Sequence, residues 1–210
     1  MKPFALRMSP RALLLALACA ALAGCISLGR ELPESLLTLS PTSSAPAGTR
    51  AQTGSAGDGG AIAVMTPDVP AKLDVLRVPV NVTDTEIAYL PEAFWVEKPA
   101  RLFRRLLGET LRQRGGVFVI DNDDSPAPIG QQVRGTLVEM TYDARTSSAV
   151  VIFDAIRSEE SGAVIARRFE ARESVGIAEG PVVGEALNRA ANTVASEVAD
   201  WVLAVPSSGD

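Results

Sequence analysis

Apolar residues recur at helical spacing in two stretches of this chain and alternate with polar residues in several others. Pro99 suits a first helical turn, and Leu102, Phe103, Leu106, Leu107 and Leu111 follow on one face. Gly115 and Gly116 supply a glycine stop. The other face carries Arg101, Arg104, Arg105, Arg112 and Arg114. After Gly180 and Pro181, the positions Val183, Leu187, Ala190, Val194, Val198, Trp201 and Val202 trace a second amphipathic helix that ends near Pro206. Ala186, Ala191 and Ala195 would let that helix lie close to a sheet.

Strand signals fill the space between. Residues 73–80 form a short β-branched run interrupted by Pro79, and residues 86–89 and 117–120 read as further short strands. Three longer runs follow at 132–142, 149–157 and 163–174, with 158–162 as the hairpin turn joining the last two. The order strands, helix, strands, helix predicts an α+β fold: a largely antiparallel sheet with two amphipathic helices packed on one face. No internal repeat is evident, and nothing suggests a doubly wound nucleotide fold.

The first 72 residues look different. Residues 40–60 are rich in Ser, Thr, Ala, Gly and Pro with almost no bulky apolar side chain, a composition that reads as a flexible tether. Counted from Cys25, a coil of about 35 residues would reach roughly 30–35 Å r.m.s.. Residues 36–39, Leu-Leu-Thr-Leu, stand out within it; either they return to the sheet as a first strand or they belong to the tether. Upstream, Lys2, Arg7 and Arg11 precede an unbroken apolar run at 12–22, as in a secretory signal. Eleven apolar residues are too few to span a bilayer, which takes about 20. The run ends in Leu22-Ala23-Gly24-Cys25, which resembles the lipobox of bacterial lipoproteins. That resemblance implies cleavage between Gly24 and Cys25, thioether lipidation of Cys25 and acylation of the new amino terminus. Ile26 rather than aspartate at the next position implies, by the same resemblance, sorting to the inner leaflet of the outer membrane, facing the periplasm. The expected division is thus a signal peptide at 1–24, a lipidated amino terminus and tether at 25–71, and a folded domain at 72–205.

Composition narrows the chemistry. The 210-residue chain has a formal charge of −5, and removing the three leader cations leaves −8. An acidic chain is a poor nucleic-acid ligand, because affinity for a duplex rests on Lys and Arg neutralising phosphates. Its two cysteines are Cys19, in the leader, and Cys25, so no internal disulfide is expected after cleavage. There is no histidine, which removes Ser-His-Asp and Cys-His catalysis and histidine metal sites.

The acidic turn at 121–126 does not match a calcium loop: the register needs glycine at Pro126 and glutamate at Gln132. Ser-Lys catalysis would have to use Lys72 or Lys98, neither in a recognised serine motif. No carboxylate pair can be singled out among 25 acids, and glycines 57, 59 and 60 lack the strand and helix of a phosphate loop. No enzymatic activity, cofactor or metal is expected. Tyr89, Phe94 and Trp95 cluster in an aromatic-poor chain; they either anchor a partner or cover a sheet edge. The arginine face of the first helix is either a solvated surface or a contact for phospholipid headgroups or an acidic partner.

Leu76-Arg77-Val78-Pro79, then Glu86-Ile87-Ala88-Tyr89, then Phe94-Trp95-Val96-Glu97-Lys98-Pro99 leading into the first helix, resemble the ABC-type transport auxiliary lipoprotein family. The likeness extends from the Leu-Leu-Thr-Leu run at 36–39 to Val202. Relatives are PqiC-like lipoprotein components of lipid-transport systems built from a permease, an ATPase and a mammalian-cell-entry (MCE) domain protein. The resemblance implies a noncatalytic subunit, tethered to the outer membrane, that docks on the MCE protein and its ABC permease and ATPase. Phospholipid and a second copy of the chain are further partner candidates. The alternatives are a structural lipoprotein serving an outer-membrane or peptidoglycan complex and, behind it, a periplasmic hydrolase.

Overall fold

The computed structural model describes residues 35–48, 61–115, 117–121, 129–158 and 164–204. The expected signal peptide, Gly24 and Cys25, the glycines 57, 59 and 60, most of the acidic turn at 121–126 and most of the hairpin turn expected at 158–162 lie outside the described residues.

One long strand organises the sheet. The strands are β1 (Ala61–Val64), β2 (Arg77–Asn81), β3 (Ile87–Phe94), β4 (Val119–Ile120), β5 (Ile129–Asp143), β6 (Ser148–Ser158) and β7 (Val164–Ser174). The helices are α1 (Pro99–Gly115) and α2 (Gly180–Leu203). β5 carries β6 along one edge, and β7 continues the meander beyond it, both pairs antiparallel. Its other edge is shared: β1 runs parallel to its first part, with Val64 beside Val133, and β2 runs parallel to its end, with Val80 beside Tyr142. β4 adds parallel to β1, and β3 adds antiparallel to β2.

The sheet is therefore mixed, and the expectation of a largely antiparallel sheet is wrong. The sequence reading pairs strands with their neighbours in the chain, and that holds for β2–β3, β5–β6 and β6–β7. β1 and β2 instead meet β5 across a connection that contains α1, and such a crossover is what parallel pairing requires. The sequence reading also starts the domain at residue 72, whereas β1 is buried throughout and sits inside the sheet.

Both helices join one face of the sheet in a single core. Val151, Phe153 and Ala155 alternate inward from β6 to meet Phe103, Leu106 and Leu107 of α1 and Leu187, Ala190 and Val194 of α2. The rings of Phe103 and Phe153 stand 5.0 Å apart and tilted by 54°. The small side chains of Ala186, Ala190, Ala191, Ala195 and Ala199 are buried, so α2 lies close against β6 and β7. Arg157 closes the far end of α2: its guanidinium stacks 5.0 Å from the Trp201 ring and donates to the Trp201 carbonyl at 2.6 Å. A cation at a helix C-terminus meets the negative end of the helix dipole.

At the β5–β6 turn, Asp143 accepts from the backbone N–H of Arg145 at 3.0 Å and from its guanidinium at 3.2 Å. Arg145 also pairs with Asp84. The hydrogen bonds from Arg145 hold the Asp143 carboxyl below its ordinary value, against the opposing effect of burial. A depressed carboxylate pKa adds stability that is complete above the unfolded value and is lost as pH falls through the native one. The melting temperature should therefore fall as pH drops below about 3.9, the ordinary value for aspartate. Asp143→Asn should melt lower at neutral pH and show a shallower acid loss; equal slopes for the two proteins in thermal scans would refute the assignment.

Candidate interaction surface

Three backbones meet at the β2–β3 end of the sheet. Trp95 N donates to the Leu76 carbonyl at 2.7 Å, Leu37 N donates to the Phe94 carbonyl at 2.7 Å, and Val96 N donates to the Leu37 carbonyl at 2.8 Å. Residue 37 thus does return to the sheet, as a single parallel bridge to Trp95. The segment that follows is held down along α2. Asn192 accepts from Thr42 N at 2.8 Å and donates to the Ser40 carbonyl at 2.9 Å, so one side-chain amide serves the backbone as a neighbouring strand would. Asn188 accepts from Ser40 N at 2.8 Å, and Glu109 of α1 accepts from Ala45 N at 2.9 Å. Gly184 makes room for this path: a Cβ there would stand 2.6 Å from Leu37 Cδ2.

The three aromatic residues singled out in the sequence separate here. Trp95 is 1% exposed and belongs to the core, with no hydrogen-bond acceptor for its indole Nε1 among the described residues. Tyr89 and Phe94 are half-buried. Tyr89 pairs with Pro79 and Phe94 with Arg77, so Arg77 stands opposite Phe94, and its guanidinium reaches along the ribbon to lie 4.9 Å from the Tyr89 ring. The register slips between these two pairs, where Glu92 takes a left-handed φ of 55°. That irregularity turns Leu90 and Ala93 into the core.

A groove of about 530 Å³ lies between α1, α2 and the docked segment, lined by Thr42, Ser43, Gln113, Arg114, Arg189 and Glu197 among others. Its cations are engaged: Arg114 pairs with Asp200 and donates to the Ser196 carbonyl at 3.2 Å, and Arg189 pairs with Glu173 at 3.2 Å. On β5, Glu139 accepts from Lys72 at 2.6 and 2.7 Å and from Thr141 at 3.0 Å, a cluster that ties the 3-10 turn at Ala71–Leu73 to the sheet. Among the described residues no three His, Cys, Asp or Glu side chains converge as metal ligands.

The model of the family described as the ABC-type transport auxiliary lipoprotein component matches residues 38–199, from beside the Leu37 bridge almost to the end of α2. The chain belongs to that family. No curated protein matches it significantly. Among solved structures, a DUF330 protein from Xanthomonas campestris is similar in fold, with a TM-score of 0.67 and 15% identity over 80% of this chain and 94% of its own. Another, described only as an uncharacterized protein, has a TM-score of 0.60 and 14% identity over 80% of this chain and 99% of its own. At such identities the likeness shows the fold alone.

As an ABC-type transport auxiliary lipoprotein, the chain is an envelope component whose described helices include none long and apolar enough to cross a membrane. Much of the arginine face of α1 is engaged within the domain. Arg104 donates to Thr66 at 2.8 Å, Arg105 pairs with Glu97 at 3.0 Å, and Arg112 pairs with Glu109 at 3.3 Å and Asp121 at 2.7 Å. Sequence reading missed Asn188 and Asn192, although two asparagines one turn apart inside a helix are a signal, since asparagine is a weak helix former.

Proposed function

We propose that this auxiliary lipoprotein is cut before Cys25, anchored by lipid to the inner leaflet of the outer membrane, and serves as a noncatalytic subunit of an MCE-type ABC lipid transporter. The observation that carries this reading is the family match across the folded part of the chain. The lipobox at residues 22–25 supplies the anchor, and Ile26 after it favours the outer membrane. A noncatalytic role fits a chain without histidine whose groove cations are engaged in ion pairs. The partner surface is the β2–β3 ribbon, where Arg77, held against Tyr89 and beside Phe94, offers an aromatic-flanked cation to an acidic group on the MCE protein.

The test is a gentle-detergent purification of the full-length protein from its own envelope, identifying every chain that comes with it. An MCE-domain protein recovered with its permease and ATPase supports the reading. A barrel or wall-bound complex in their place overturns it in favour of a structural envelope lipoprotein. Cys25→Ala should leave a folded domain that takes up no acyl label and leaves the membrane fraction. Labelling that persists in this variant would refute the anchor.

A further inference from the structure

Leu36, Leu76 and Val96 are 51, 45 and 48% exposed, and all three flank the junction where Leu37, Trp95 and Leu76 hydrogen-bond. We infer that this apolar end of the sheet lies on the bilayer surface that holds the lipid anchor. The inference rests on the proposed lipidation of Cys25. Only ten peptide bonds separate Cys25 from Ser35, a contour that cannot exceed about 36 Å even fully extended.

The docked segment is what makes the leash short. Were residues 36–60 free, the domain could stand off by the length of a long coil; instead the chain is fixed at Leu37 by the bridge to Trp95 and at Ser40 and Thr42 by Asn188 and Asn192. The part of the fold nearest the acylated cysteine along the chain is therefore the part where these three large aliphatic side chains are exposed. Apolar residues on such a surface enter the boundary between headgroups and acyl chains, about 5–10 Å deep.

Two charged pairs lie near the patch, Lys98 with Asp74 at 2.8 Å and Arg105 with Glu97 at 3.0 Å, and Arg77, next to Leu76 in sequence, has its guanidinium over the Tyr89 ring. A contact carried by aliphatic side chains does not depend on screened charges, so it should survive high salt, unlike one driven by lysines.

The chain suits a direct test, because its cysteines are Cys19, removed with the leader, and Cys25, blocked by its thioether. An environment-sensitive fluorophore is attached to Leu76→Cys or Val96→Cys of the full-length lipidated protein. The control is Val164→Cys, which is 60% exposed on β7, a strand that lies beyond β6 on the side of β5 away from β2 and β3. Each protein is placed in purified phosphatidylethanolamine and phosphatidylglycerol vesicles without other proteins. Labels at 76 and 96 should be several-fold less accessible to aqueous iodide than the label at 164, and should be quenched by spin-labelled lipid, in low and high salt alike. Equal iodide access at all three positions in protein that floats with the vesicles overturns the membrane-facing assignment and leaves the anchor standing. Failure to float overturns the anchor and the assignment together. Shielding found only in native envelopes, not in pure vesicles, means that a protein covers the patch and overturns the lipid contact.

Discussion

Gly135→Val is expected to abolish folding of the domain. Gly135 sits in β5 opposite Ala155 of β6, and a Cβ built on it would lie 2.0 Å from the Asp154 carbonyl oxygen and 3.0 Å from the ring of Phe153. The obstacle is backbone, so no rotamer change relieves it. On the other edge, the Gly135 carbonyl accepts from Asp68 N at 2.9 Å, which prevents the strand from backing away without losing a further bond. The φ of 157° at this position adds strain for any L side chain. Strain of this kind falls in the exceptional class of single substitutions, above about 4 kcal/mol. A domain of ordinary stability, about 5–15 kcal/mol, has little left after such a loss. Chemical denaturation should show Gly135→Val unfolded or nearly so, with Thr136→Ala, one residue away, close to wild type. A cooperative Gly135→Val transition at the wild-type midpoint would show that the strands are not this close.

How far the sequence discloses the fold depends on which interactions are local. The spacing of Leu102, Phe103, Leu106, Leu107 and Leu111 determines the buried face of α1 by itself, and all five are core residues. The β5–β7 meander is legible for the same reason, since its strands pair with their neighbours in the chain. β1 is not, because Ala-Ile-Ala-Val after a glycine-rich stretch is too short to display a period, and its partners lie tens of residues away. The docking of residues 37–45 is hidden for another reason. A polar, proline-bearing segment has the composition of a free coil, and what pins it is a pair of asparagines about 150 residues downstream. Trp95 and Phe94 show the limit most clearly: adjacent strand residues face opposite ways, so only one of them can point inward. The choice is made by the register slip around Glu92, a feature of the β2–β3 pairing that residue type alone does not reveal.

That choice changes what a substitution at Trp95 means. Trp95→Ala is expected to weaken any partner capture, yet by destabilising the domain rather than by removing a contact surface. Truncating a buried tryptophan costs about 3–5 kcal/mol through lost burial and the cavity it leaves. The cavity here would open beneath the bridge that holds Leu37, so the docked amino-terminal segment should loosen with the core. Trp95→Phe separates the two roles of the side chain. It keeps an aromatic ring in the site and removes an indole N–H that finds no acceptor among the described residues. Relief of an unsatisfied buried donor is worth about 1–3 kcal/mol, which offsets part of the lost volume. The expected order of stability is wild type close to Trp95→Phe and both far above Trp95→Ala, measured by denaturant midpoint. Proteolysis near residue 40 should follow the same order, because exposure of that segment depends on the same packing. Tyr89→Ala supplies the contrast: a half-buried side chain on the opposite face should affect capture of the partner with little change in the midpoint. If Trp95→Ala retained the wild-type midpoint and still lost the partner, Trp95 would be a contact residue and the burial described here would not hold in solution.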